Sequence, residues 1–210
     1  MLLILVFLLL PGVLHAQPLA IEPSELDLGA VKINVKVQGE IRLSNQSDDE
    51  LEIVVTIDGD GFTAPPDTLR LSSKSASAIP VYFTAATVGP ATGMLTLRVK
   101  SFFKDETFTV PLRASAARPA FSLLPATGLD FGAVQIGASA TDAFAIKNIG
   151  AIPATSGQVV LANPQAPFAI QQTIDSLPEP GGEKGLQITF APKHGGPFAT
   201  ELIVTSPDFD

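Results

Sequence analysis

A chain of 210 residues, 46% of them hydrophobic, can bury two cores of ordinary domain size. Its 21 acidic residues against 13 basic ones repel a phosphate backbone on average, which makes nucleic acid and anionic lipid poor candidates as partners. The lack of cysteine removes disulfide staples, thiol nucleophiles, zinc knuckles and a lipid-modified bacterial N-terminus.

Leu2 to Leu10 is an unbroken apolar run, closed by the helix breakers Pro11 and Gly12 and followed by Leu14-His15-Ala16. That order resembles a secretory signal, residues 1–16, cleaved after Ala16. No Lys or Arg precedes the run, and Leu14 is larger than the residue usual three before a cleavage site. The run is about half of the roughly 20 residues a helix needs to cross a bilayer, so no stable membrane span is expected. The expected location is secreted, periplasmic or cell-surface.

Past Ala16 the apolar residues recur with period two, the mark of strands with one buried face. Val37, Gly39, Ile41 and Leu43 alternate with Gln38, Glu40, Arg42 and Ser44. Leu51, Ile53, Val55 and Ile57 follow, then Ile79, Val81 and Phe83, then Leu95, Leu97 and Val99, then Phe108, Val110 and Leu112. The 17 Gly and 18 Pro fall mainly between these runs, where they supply turns and interrupt any long helix.

The chain also repeats itself. Leu26-Asp27-Leu28-Gly29-Ala30-Val31 returns 103 residues later as Leu129-Asp130-Phe131-Gly132-Ala133-Val134, and the same offset carries Ile41, Leu43 and Asn45 onto Phe144, Ile146 and Asn148. Ile79, Val81, Phe83, Gly89, Pro90, Leu95 and Leu97 map onto Leu186, Ile188, Phe190, Gly196, Pro197, Leu202 and Val204 at an offset of 107. The four-residue growth is expected in loops between Asn45 and Ile79, where length changes cost little.

About seven short strands per unit of about 100 residues predict an all-β chain of two tandem immunoglobulin-like antiparallel sandwiches. Repeat one spans residues 19–117 and repeat two residues 119–210, joined by Ser115-Ala116-Ala117-Arg118-Pro119. Leu97 is followed by the strand-like stretch Phe108 to Ala114, whereas its counterpart Val204 has only Thr205 to Asp210 behind it. Repeat two is therefore expected to be C-terminally incomplete. A fragment is the plainer reading; an open edge that accepts a strand from a protein partner is the sharper one.

The Leu-Asp-Phe-Gly-x-Val segment, the strand ends at Asn45 and Asn148-Ile149-Gly150, Phe83, Phe190-Ala191-Pro192 and the Gly196-Pro197 turn together resemble the abnormal-spindle and hydin (ASH) domain family. The resemblance implies immunoglobulin-like domains, related to major sperm protein and pilus-chaperone folds, that recur in tandem in exported bacterial proteins. Eukaryotic members are linked to centrosomes and cilia; the N-terminal segment argues for export instead.

Candidate chemistry is thin. His194, beside Gly195 and Gly196, has no second His or Cys near it in sequence to share a metal, and reads as a turn residue. Asp58-Gly59-Asp60-Gly61 lacks the distal Glu and flanking helices of an EF-hand and reads as a tight turn into Phe62. Asp48-Asp49-Glu50 reads as a solvated hairpin tip, and Gly181-Gly182-Glu183-Lys184 has neither the spacing nor the context of a phosphate loop. Asn45-Gln46-Ser47 fits a glycosylation sequon, although an Asn closing a strand into a turn explains both Asn45 and Asn148. No catalytic, cofactor-binding or metal-binding residue is assigned.

The expected function is a non-catalytic exported structural or protein-binding module, with stacked sandwiches acting as spacer or adhesive repeats. One alternative, implied by the family fold, is a periplasmic chaperone-like binder acting by β-strand addition, for which no paired basic anchor is identifiable. The other is an accessory fragment of a larger surface protein or enzyme.

Overall fold

A computed structural model describes residues 18–65, 67–100, 105–154, 156–170 and 176–207. The expected signal, residues 1–16, lies outside them. Every regular element among the described residues is a strand, as the period-two pattern requires.

Residues 19–117 supply nine strands: β1 (Leu19–Glu22), β2 (Leu26–Lys32), β3 (Val37–Asn45), β4 (Leu51–Asp58), β5 (Phe62–Thr63), β6 (Thr68–Leu71), β7 (Ala76–Phe83), β8 (Gly89–Lys100) and β9 (Asp105–Ala117). They form a four-stranded sheet in the order β1-β3-β7-β5 and a five-stranded sheet in the order β2-β9-β8-β4-β6. Residues 121–205 supply β10 (Phe121–Leu124), β11 (Ala140–Asn148), β12 (Gln158–Leu161), β13 (Phe168–Ile170), β14 (Glu183–Phe190) and β15 (Leu202–Thr205). These form a sheet β10-β11-β14-β13 and a pair β12-β15. No sheet mixes strands from the two stretches.

Positions that correspond by sequence offset take the same places in the ladders. Leu19 faces Asn45 where β1 meets β3, and Phe121 faces Asn148 where β10 meets β11. Val55 faces Leu97 between β4 and β8, and Val159 faces Val204 between β12 and β15. Asp27 accepts at Oδ1 from the Gly29 amide at 2.8 Å, and Asp130 from the Gly132 amide at 2.9 Å. Both glycines sit in the left-handed region, at φ +66° and +59°, which explains why the Asp-x-Gly spelling survives in each copy of the motif. The four-residue length difference is spread over three loops rather than confined to one, since Asn45, Val55, Phe62 and Ile79 answer to Asn148, Val159, Phe168 and Leu186.

By compactness the described residues divide into one unit holding those through Leu26, Gln38–Tyr82 and Gly93–Leu112, and a second holding Asp27–Val37, Phe83–Thr92 and those from Arg113 onward. In the first, Ile41, Leu43, Leu51, Ile53, Leu95 and Leu97 are buried completely, each at alternate positions of its strand. Removing one such side chain from water is worth about 1.5–3 kcal/mol, so the period-two pattern is the main source of cohesion here. In the second, Phe144, Ile146, Leu177, Leu186 and Ile188 form a buried cluster. Leu129 and Phe131 pack on that cluster from one side, and Val159, Leu161, Leu202 and Val204 of the β12-β15 pair join them. The two sheets of this unit therefore close on a shared apolar layer, as in a sandwich.

Candidate functional site

The buried polar side chains among the described residues are two asparagines, Asn45 and Asn148. Asn45 ends β3, and its Nδ2 donates to the carbonyl oxygens of Asp49 (2.8 Å), Leu71 (3.0 Å) and Ser72 (3.0 Å). Its Oδ1 accepts from the Ser47 amide at 2.9 Å and the Ser47 hydroxyl at 2.7 Å. Asn148 ends β11 in the same manner, donating to Ile152 O (3.2 Å) and Pro178 O (2.9 Å) and accepting from the Gly150 amide (2.9 Å). Each closes a strand into a turn, as its place in the sequence predicts. Each also fastens a loop 26 to 30 residues further along the chain, which the sequence pattern does not reveal.

Little chemistry gathers around the sequence candidates. His194 is exposed, with its ring 5.0 Å from that of Phe198 and its Nδ1 3.3 Å from Gly195 O. Asp58 Oδ1 accepts from the Gly59 amide at 2.8 Å, and Phe62 N donates to Gly59 O, which makes Asp58-Gly59-Asp60-Gly61 the tight turn expected. Asp48 pairs with Lys74 at 3.1 Å and Glu50 with Arg70 at 3.8 Å, both in solvent. Among the described residues no group of three or more His, Asp or Glu side chains converges on a point that would hold a metal.

A groove of about 820 Å³ in the second unit is the concave feature the sequence did not announce. Leu129–Val134 and Ile136 make one wall, and the stretch from His194 through Leu202 makes the other. Its floor is aromatic. Phe168 and Phe190 stack with centroids 4.7 Å apart, Phe131 lies 5.8 Å from each, and Phe198 lies 5.7 Å from Phe190. Asp130 and Glu201 are the carboxylates that line it. Phe168 and Phe190 stand at the positions of the buried Phe62 and Phe83, so their repeat partners mark them as core; Phe131 answers to the half-buried Leu28, and Phe198 stands where the first copy has Ala91.

Geometry and composition define an all-β chain of immunoglobulin-like sandwiches. Residues 123–209 match the family model described as HYDIN/CFA65/VesB-like, Ig-like domain. The ASH and hydin resemblance read from Leu129 to Val134, Asn148 and Gly196-Pro197 is thereby borne out. No curated protein matches the chain. Among solved structures the chain is similar to the ASH/PapD-like domain 7 of human CEP192, at 10% identity and TM-score 0.46, over 54% of this chain and 96% of that one. It is similar to a protein of unknown function from Porphyromonas gingivalis W83, at 19% identity and TM-score 0.41, over 83% and 84% of the two chains. It is also similar to the YadV chaperone, at 13% identity and TM-score 0.39, over 91% and 95%.

Proposed function

We propose that the chain is a non-catalytic, exported module of two tandem immunoglobulin-like domains, residues 19–117 and 119–210 behind a signal at 1–16, that serves as a structural spacer and engages a protein partner. The observation that carries the reading is the doubled asparagine fastening. Two buried amides, 103 positions apart in sequence, end equivalent strands and tie equivalent loops. Domains stiffened in this way hold their loops and sheet edges in fixed positions, which is what a spacer or adhesive repeat needs. Acidic residues, 21, exceed the 13 basic ones, which favours neutral or basic protein surfaces over nucleic acid.

The test is intact mass and N-terminal sequencing of the protein recovered from its source cells and their surroundings. A mature start at Gln17 outside the cytoplasm supports the export reading; a Met1 start retained in the cytoplasm overturns it.

A further inference from the structure

We draw no further inference here: the strongest candidate, the outer face of the β10-β11-β14-β13 sheet, where Leu124, Ala143 and Ala145 stand at the positions of the charged Glu22, Glu40 and Arg42 of the first copy, is an unpartnered face of small and apolar side chains, and nothing in the structure shows what covers it.

Discussion

The side-chain amide of Asn45 donates to the carbonyl oxygen of Leu71 at 3.0 Å, joining the end of β3 to the end of β6 in a site where both residues are buried. A buried carbonyl without a donor costs about 1–3 kcal/mol, so the amide prevents a penalty more than it adds a bonus. Asn45→Ala should therefore lower stability by about 2–4 kcal/mol, since it strands several carbonyls at once. Asn148→Ala should cost less, because Nδ2 there serves two carbonyls instead of three. Chemical denaturation of the two variants beside the parent checks both the size and the ranking. Asn45→Asp should be at least as damaging as Asn45→Ala, as it aims a carboxylate at the same carbonyl oxygens.

The same geometry settles what the sequon Asn45-Gln46-Ser47 can do in the folded protein. Asn45 is 1% exposed and its Nδ2 is the atom a glycan would occupy, so the sugar and the three hydrogen bonds exclude each other. Protein expressed through a eukaryotic secretory route should contain a folded, monomeric fraction with no hexose or N-acetylhexosamine at this site by peptide mass spectrometry. A folded fraction glycosylated at Asn45 would contradict the buried fastening.

The strands with long alternation were legible before any coordinates. Ile41 and Leu43, Ile53 and Val55, and Leu95 and Leu97 are buried in β3, β4 and β8 as their period-two spacing requires. Short elements such as β5 (Phe62–Thr63) and β13 (Phe168–Ile170) were not, because two or three residues cannot display a period. The long reach of Asn45 and Asn148 was hidden for another reason. Their acceptors are backbone carbonyls, which every residue carries, so no side-chain spelling at Leu71 or Pro178 marks the contact. The groove escaped because it depends on how Phe131, Phe168, Phe190 and Phe198, far apart in sequence, come together, and such long-range packing leaves no trace in local spacing.

Glu52 on β4 lies between two cations on neighbouring strands, Arg70 on β6 and Lys100 on β8, each at 3.3 Å. All three side chains are about one-third exposed or more, so water and salt screen the attraction. Cross-strand opposite-charge pairs contribute roughly 0.2–1 kcal/mol each, and Glu52→Ala should cost about 1 kcal/mol at low salt. The loss should shrink toward zero in 1 M NaCl. Lys147→Ala removes one exposed cross-strand pair, with Glu183 at 2.8 Å, and should change stability by less than about 0.5 kcal/mol at any salt. Thermal melts of both variants across a salt series separate the two-cation cluster from the isolated pair.

Gly93 and Gly185 both lie inside strands, and a strand interior is where glycine is ordinarily a weakness that alanine would repair. The surroundings give the two opposite signs. A methyl group on Gly93 would come within 2.5 Å of the Asp58 carbonyl oxygen and 2.9 Å of Phe62 Cδ2. Neither neighbour can yield cheaply: the oxygen is backbone, in the residue paired with Met94, and Phe62 is buried. Gly93→Ala should therefore destabilise the protein by about 1–3 kcal/mol, the usual cost of overpacking. A methyl group on Gly185 meets nothing within 4 Å, opposite the half-buried Ala145. Gly185→Ala should then stabilise by about 0.4–1 kcal/mol, because it restricts the unfolded chain without straining the folded one. Denaturant midpoints for the two single variants test the pair directly. If both shift in the same direction, the close approach of β8 to the turn at Asp58 is not the reason for glycine at position 93.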